Sequence, residues 1–319
     1  MSDFLSIVEA CQLGKNFLAV PHINVDGDDL GSMLALYWGM KKINKNVTLF
    51  SPDQIPFMYN FMPGIEKIQK TVPNNTFDAV LTLECSVPSR MPAGINLKQL
   101  TNNVINLDHH PDNSMYGNLN YINFKAAALG EIVFKLLKHM DIELDYNIAV
   151  CLYVSILTDC GAFQYSNTTS ETHKIVSELL KFPIDVAQIS RVIYKEIDFN
   201  NLKLMGIVLS TLKSRQNGKI VWGTLTQKML KDCLTFEENT QYFIDEINNV
   251  RNAEIAMLFK ETSDGFTKVS LRSNKFPVNE LAAAFDGGGH KQASGCTIKE
   301  PLERAEEILL NKTEEMFYK

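Results

Sequence analysis

The chain has 319 residues, 45% of them hydrophobic, with a formal net charge of −6 and six cysteines. That length exceeds what one hydrophobic core usually organises, so two domains are expected. The acidic balance argues against a protein that wraps long duplex nucleic acid, and no apolar stretch is long enough to suggest a membrane span. Cys11, Cys85, Cys151, Cys160, Cys233 and Cys296 are scattered with no C-x-x-C pair, which argues against a disulfide framework or a thiolate zinc site. Met1-Ser2-Asp3 starts no signal peptide, so cytoplasmic residence is expected.

Phe17-Leu18-Ala19-Val20 reads as a buried strand, the polar run from His22 to Asp28 as the turn after it, and Gly31 to Ile43 as an amphipathic helix. Val47 to Phe50, Ala79 to Leu83 and Val104 to Leu107 are short apolar runs rich in β-branched residues, as interior parallel strands are. Helical patterns follow from Leu129 to His139, Tyr146 to Leu157 and Ser170 to Leu180, the last closed by Pro183. The alternation predicts a parallel α/β sheet. From Val186 to Leu212 the chain reads as helical, and a second α/β pattern follows, with strands over 219–226, 255–259 and 267–271 and helices over 241–250, 278–285 and 302–317. The domain boundary is expected near residues 185–200, and a cleft between two lobes would be the natural place for a substrate.

Ligands of open parallel sheets bind beyond the carboxyl ends of the strands, and the polar clusters fall there. His22, Asp26 and Asp28 follow the first predicted strand, Glu84 the third, and Asp108, His109 and His110 the fourth. Asp159 follows a predicted helix at Thr158-Asp159-Cys160-Gly161, where the glycine suggests a loop that turns a carboxylate the same way. An isolated Asp-x-Asp is most often a turn or helix cap, but ligand types recurring after successive strands point to one composite metal site. A set rich in carboxylates with a few imidazoles suits manganese or magnesium better than structural zinc. Two ions are expected, because one would leave several carboxylates repelling each other, whereas two sharing a carboxylate offset that charge and activate a water for attack on phosphorus. Two divalent ions would also take the net charge from −6 to −2.

Four ordered motifs carry a family resemblance that covers almost the whole chain. They are His22-x-x-x-Asp26-Gly27-Asp28-x-x-Gly31-Ser32, Asp108-His109-His110, Thr158-Asp159-x-Gly161-x-Phe163 and Gly287-Gly288-Gly289-His290. The chain resembles the DHH phosphoesterases that carry a DHH-associated C-terminal domain, and within them the nanoRNase/pAp phosphatase group. The resemblance implies an α/β fold: a parallel-sheet DHH catalytic domain over 1–185, a helical connector over 186–212, and a smaller α/β substrate-binding domain over 213–319, with a cleft between the lobes. It also implies that His22 and Asp26 hold one manganese ion, that Asp28, His109 and Asp159 hold the other, and that Glu84 occupies the bridging position. That position is usually aspartate in an Asp-x-x-x-x-x-Arg segment, and this chain has Glu84 followed by Arg90. Asp108 would orient a histidine, His110 would sit close to the scissile phosphate, and Arg90 would add positive charge near the metals.

Glycines at 287–289 expose backbone N–H groups to an anion, and with His290 and Arg272 they favour a phosphate-binding reading. Asp286 stands where the family more often has glycine. His139 and His173 sit on predicted helices without ligand neighbours, Cys85 and Cys160 are expected to face away from the metals, and Met58, Phe61 and Met62 read as core.

The function these readings support is a phosphodiesterase that cuts short RNA oligonucleotides to mononucleotides and extends to pAp, with manganese, or magnesium in its place, as cofactor. Its partners are short RNA or small nucleotides, with no long duplex and no membrane, and a homodimer is left open. Two alternatives remain: a cyclic di-AMP or pApA phosphodiesterase, and a catalytically weakened nucleotide-binding protein motivated by Glu84 and Asp286. Membrane and sensory segments do not stand out in the sequence, which lowers the first, and the Gly-Gly-Gly-His segment argues against a family II pyrophosphatase.

Overall fold

In the computed structural model, residues 4–317 are described apart from 73 and 274. Backbone contacts divide them into two units, with the division between Glu196 and Ile197.

The first unit runs α1 (Phe4–Leu13), β1 (Asn16–Val20), α2 (Gly27–Lys42), β2 (Asn46–Leu49), β3 (Ala79–Leu83), α3 (Leu97–Leu100), β4 (Val104–Asp108), β5 (Leu119–Ile122), α4 (Leu129–His139), α5 (Tyr146–Asp159), α6 (Ser170–Leu179) and α7 (Val186–Tyr194). Its five strands pair in the order β2-β1-β3-β4-β5, every pair parallel. The near-continuous apolar runs of β1 and β3, broken only by Asn16 and Thr82, suit their interior places, because both faces of an interior parallel strand are covered. Phe17, Ala19, Leu81 and Leu83 join the large core with α2, α4 and α5, while Leu18, Val20 and Val80 turn to a smaller cluster with Phe50, Phe77 and Leu100.

The connection order reverses beside β1, with β2 on one side and β3 on the other. Loops leaving such neighbouring strands diverge, and the crevice they open at the strand ends is where open α/β sheets take ligands. Here those loops carry His22 and Glu84.

Helix α2 starts four residues earlier than the periodicity predicts. Asp26 is its N-cap, its Oδ1 accepting from the backbone N–H of Asp28 (3.0 Å) and Asp29 (3.2 Å), so both acids lie in the first helical turn and not in a loop. The helix is buried on nearly all sides. Glycine lets it approach α5: a Cβ at Gly31 would stand 2.4 Å from the Cys151 carbonyl oxygen and 2.7 Å from the Ser155 Cβ. Met62 is core and Met58 packs against it, but Phe61, expected inside, is partly exposed.

The second unit comprises α8 (Phe199–Ser210), β6 (Lys213–Arg215), β7 (Ile220–Leu225), α9 (Gln227–Asp232), α10 (Phe243–Asn248), β8 (Ile255–Glu261), β9 (Thr267–Ser273), α11 (Val278–Ala283), β10 (Gly288–His290), β11 (Ala293–Ile298) and α12 (Leu302–Phe317). Its mixed sheet has the order β10-β11-β9-β8-β7-β6, with only β7 and β8 parallel. Trp222, Met257, Phe259, Val269 and Leu271 pack on α11 and α12, while Val221, Leu225, Ala256 and Leu258 pack on α8 and α10. The helical stretch after Pro183 is two helices: Ile189 of α7 belongs to the first unit's core, and Leu204 and Val208 of α8 to the second's. Among the described residues, no helix is long and apolar enough to cross a membrane.

Candidate metal centre

The loops after β1, β3 and β4, the first turn of α2 and the last residue of α5 bring the acids and imidazoles together at the carboxyl edge of the first sheet. Ligand atoms of His22, Asp26, Asp29 and Glu84 gather in one group, and those of Asp28, His109 and Asp159 in a second; Glu84 also groups with His109 and His110. Within each group the atoms lie within 4.8 Å of one another.

Glu84 joins the groups. Its Oε2 is 3.9 Å from His22 Nε2, and its Oε1 is 3.0 Å from His109 Nε2. The backbone at Glu84 is left-handed, with φ of 53°, a conformation that costs a non-glycine residue about 1–3 kcal/mol. That turn follows the last residue of β3, and the surrounding bonds Glu84 N–H to the Leu107 carbonyl (3.1 Å) and Ser86 N–H to the Glu84 carbonyl (3.1 Å) hold it. The Glu84 side chain thus leaves from a backbone kink at the end of an interior strand.

The other groups are held from behind. Asp28 Oδ2 accepts from Leu129 N–H (2.6 Å) and its Oδ1 from Gly130 N–H (3.1 Å), so it caps α4 from across the fold. Ser32 and Ser155 hydroxyls also donate to Asp28 Oδ1. The His109 Nδ1 stands 3.2 Å from the Ala126 carbonyl, which leaves Nε2 directed at Glu84, at Asp159 Oδ2 (3.6 Å) and at Asp28 Oδ2 (3.9 Å). Such a donor to a backbone carbonyl fixes the tautomer whose Nε2 lone pair is free.

Asp108 ends β4 and is fully buried, with every role taken by hydrogen bonds. Its Oδ1 accepts from the N–H of His109 (2.7 Å) and His110 (3.0 Å) and lies 2.8 Å from His110 Nδ1, while its Oδ2 accepts from Asn113 (2.5 Å). Burial alone would raise its pKa, yet these donors, His110 first, hold it below the usual carboxylate value. The same bond raises the pKa of His110.

Electrostatically the rest of the site is overcrowded. Burial and the charges of Asp28 and Asp29 push Glu84 well above the usual carboxylate range, and burial with repulsion from Asp28 and Asp26 pushes Asp159 up to about 8. Burial lowers the pKa of His22. Glu84 Oε1 and His109 Nε2 are buried without hydrogen-bond partners. Mutually repelling carboxylates and an orphaned imidazole nitrogen are relieved together by cations, so the donor set fits divalent metal.

Two further acids were not singled out by the sequence reading. Asp29 is fully buried, with Oδ2 3.0 Å from His22 Nδ1. Asp53 Oδ2 accepts from Asn24 N–H (2.5 Å) and Val25 N–H (3.2 Å) and so holds the His22–Asp26 turn, in which Asn24 has a φ of 62°. The only sequence signal was the Asp28-Asp29 doublet; nothing local links Asp53 to a loop 29 residues earlier. The Arg90 carbonyl accepts from Ile23 N–H (2.8 Å), and its charge acts on His22, Asp29 and His110. Cys85 and Cys160 are buried free thiols, and the His139 ring turns to the Lys135 carbonyl.

In the second unit, Gly287 and Gly288 line a cavity of about 850 Å³ together with Lys268, Ser270, Asp286 and Thr297. Gly287 is required by close packing, since a Cβ there would stand 2.3 Å from the Gly295 carbonyl oxygen; Gly289 has a φ of 137°, and Gly288 faces open space. Arg272 donates from Nε to Asp245 Oδ1 at 2.9 Å. The side chain of His290 lies outside the described residues.

The model of the DHH family, N-terminal domain, matches residues 16–156, and that of the DHHA1 domain matches residues 236–318. A Thermus thermophilus protein named bifunctional oligoribonuclease and PAP phosphatase NrnA is 30% identical over 99% of this chain and 93% of its own. The Bacillus subtilis protein of the same name is 25% identical over 92% of each chain. A solved structure of an exopolyphosphatase-related protein from Bacteroides fragilis superposes with a TM-score of 0.88 at 26% identity, covering 99% of this chain and 97% of that one.

Proposed function

The chain belongs to the DHH family of phosphoesterases, and from that premise we propose that it hydrolyses short oligoribonucleotides to mononucleotides and removes the 3′-phosphate of pAp. Full-length relatives carry both activities in their name. The observation that carries the reading is the span of Glu84, whose two oxygens face the Nε2 atoms of His22 and His109.

In this reading His22 and Asp26 would hold one cation and Asp28, His109 and Asp159 the other, with Glu84 shared between the two groups. Manganese is the proposed metal, with magnesium the substitute, because the donors are oxygen and imidazole nitrogen without thiolate. Bound there, a pair of divalent ions supplies Lewis acidity at the phosphate and lowers the pKa of an attacking water. His110, kept protonated toward neutral pH by Asp108, hydrogen-bonds the scissile phosphate and holds a proton for the departing oxygen. Arg90 adds positive charge on the same side.

The domain over 213–319 grips the substrate in this proposal. Gly287, Gly288 and Gly289 offer backbone N–H groups, His290 and Arg272 the side-chain partners, and the adjoining cavity room for a terminal nucleotide. The enzyme works in the cytoplasm on single short strands. Incubating the protein with labelled RNAs from dinucleotides upward, and with pAp, in the presence of manganese should release mononucleotides and AMP. Absence of turnover on every one of these substrates overturns the proposal.

A further inference from the structure

The two candidate ligand histidines are held from behind by different partners. His109 turns its Nδ1 to a neutral acceptor, the Ala126 carbonyl, at 3.2 Å. His22 turns its Nδ1 to a carboxylate, Asp29 Oδ2, at 3.0 Å, and both side chains are almost wholly enclosed. The opposite edge of the His22 ring places Nε2 3.9 Å from Asp26 Oδ2 and 3.9 Å from Glu84 Oε2. A neutral imidazole that donates from Nδ1 has its lone pair on Nε2, and a carboxylate acceptor makes that lone pair a stronger metal donor than a carbonyl does.

Asp29 neither caps a helix nor ties two helices together. Asp26 caps α2 and Asp28 ties α2 to α4 and α5, whereas Asp29 faces His22, through its backbone N–H and its ring Nδ1. It is buried beside Asp26, Asp28 and Glu84, whose like charges repel its own, and such a group destabilises the metal-free fold. Asp29 groups with His22, Asp26 and Glu84 but stands at the Nδ1 edge of the ring, so the Nε2 side has one carboxylate besides Glu84, Asp26, against two, Asp28 and Asp159, at His109.

We infer that Asp29 is a positioning residue: through His22 Nδ1 it fixes Nε2 as a donor and raises the divalent-cation affinity of the His22, Asp26 and Glu84 position. The inference rests on the two-cation reading above. Asp29 thereby makes up for the missing carboxylate without occupying a coordination place itself.

The test is manganese binding to the full chain, read from the signal of free manganese, for the unmodified protein, Asp29→Asn and Asp29→Leu. In the unmodified protein two equivalents should bind. In Asp29→Asn one equivalent should weaken by about 10–100-fold while the other is unchanged, and Asp29→Leu, which loses the acceptor as well as the charge, should weaken it further. The thermal midpoint of the metal-free variants should hold or rise, an outcome that a merely structural role for Asp29 would reverse. Unchanged binding of both equivalents in a folded variant overturns the inference and leaves the two-cation reading standing. No manganese bound by the unmodified protein overturns that reading and the inference together. Should the variants fail to fold, nitrogen spectra of histidine-labelled unmodified protein with magnesium decide: Nδ1-protonated His22 supports the inference, and Nε2-protonated His22 overturns it.

Discussion

Glu84 Oε1 lies 3.0 Å from His109 Nε2 while its other oxygen faces His22, so this carboxylate spans the two ligand groups from a left-handed backbone position. Shortening it by one methylene withdraws the carboxylate from at least one histidine. Glu84→Asp should therefore lower kcat by about 10–100-fold, and Glu84→Gln by more, because the charge is lost too. A rise in rate for Glu84→Asp in a turnover assay would show instead that this site is a weakened one.

Asp108 governs the protonation of His110. Replacing it by asparagine removes the charge that raises the His110 pKa, so the imidazolium is lost at lower pH than before. For Asp108→Asn, the alkaline limb of the kcat profile should move to lower pH, accompanied by a fall in rate. A profile of unchanged shape, with only its height reduced, would remove His110 from the proton transfer.

The crowded carboxylates make the metal-free protein sensitive to base. Glu84 and Asp159 have folded-state pKa values raised above those of the unfolded chain, Asp159 to about 8. The folded state therefore binds more protons than the unfolded one from the ordinary carboxylate range upward. The Asp159 contribution to stability is full in acid and is lost as pH rises through about 8, and Glu84 works in the same direction. Thermal scans without metal should show this loss, opposed near pH 6 by His22, whose depressed pKa works in the other direction. Manganese at 100 times its Kd should restore about 2.7 kcal/mol for each ion bound, which appears as a higher midpoint at alkaline pH.

Asp28 depends on Ser155 as well as on the N-terminus of α4. Ser155→Ala removes a donor from a buried charged acceptor and should cost about 1–3 kcal/mol in denaturant unfolding. Gly31→Ala should cost a similar amount, about 1–3 kcal/mol, by forcing α2 away from the Cys151 carbonyl. Since α2 carries Asp28 and α5 carries Asp159, the second substitution should also weaken manganese binding.

Gly288 and Gly289 separate structure from ligand contact. An alanine at Gly288 meets no atom within 4 Å, whereas one at Gly289 meets the Ala293 carbonyl at 2.6 Å from a backbone with φ of 137°. Gly288→Ala should leave the thermal midpoint unchanged and raise KM, and Gly289→Ala should lower the midpoint. An unchanged KM in Gly288→Ala would place the substrate elsewhere in the second unit.

The sequence by itself determined the parallel type of the first sheet, the order of the loops and most of the acids and imidazoles gathered there, because apolar runs of strand length and polar clusters at their ends are local properties. His22, Glu84 and Asp108 could be assigned to strand ends without knowing which strands are neighbours. The element bounds were less legible: Asp26 caps α2, so Asp28 and Asp29 are helical where a loop was expected. Small elements such as β5 and β6 escaped because a few residues carry no clear period.

Only the tertiary structure decided how each side chain is aimed. The reversal of strand order beside β1 brings Glu84 against His22, the trans cap on α4 fixes Asp28, and Asp29 meets His22 across the turn that Asp53 holds. These relations join residues distant along the chain or set by backbone angle, and hydrophobic period encodes neither. Residue type thus settled which chemistry was available, and packing settled which nitrogen of each histidine can face a cation.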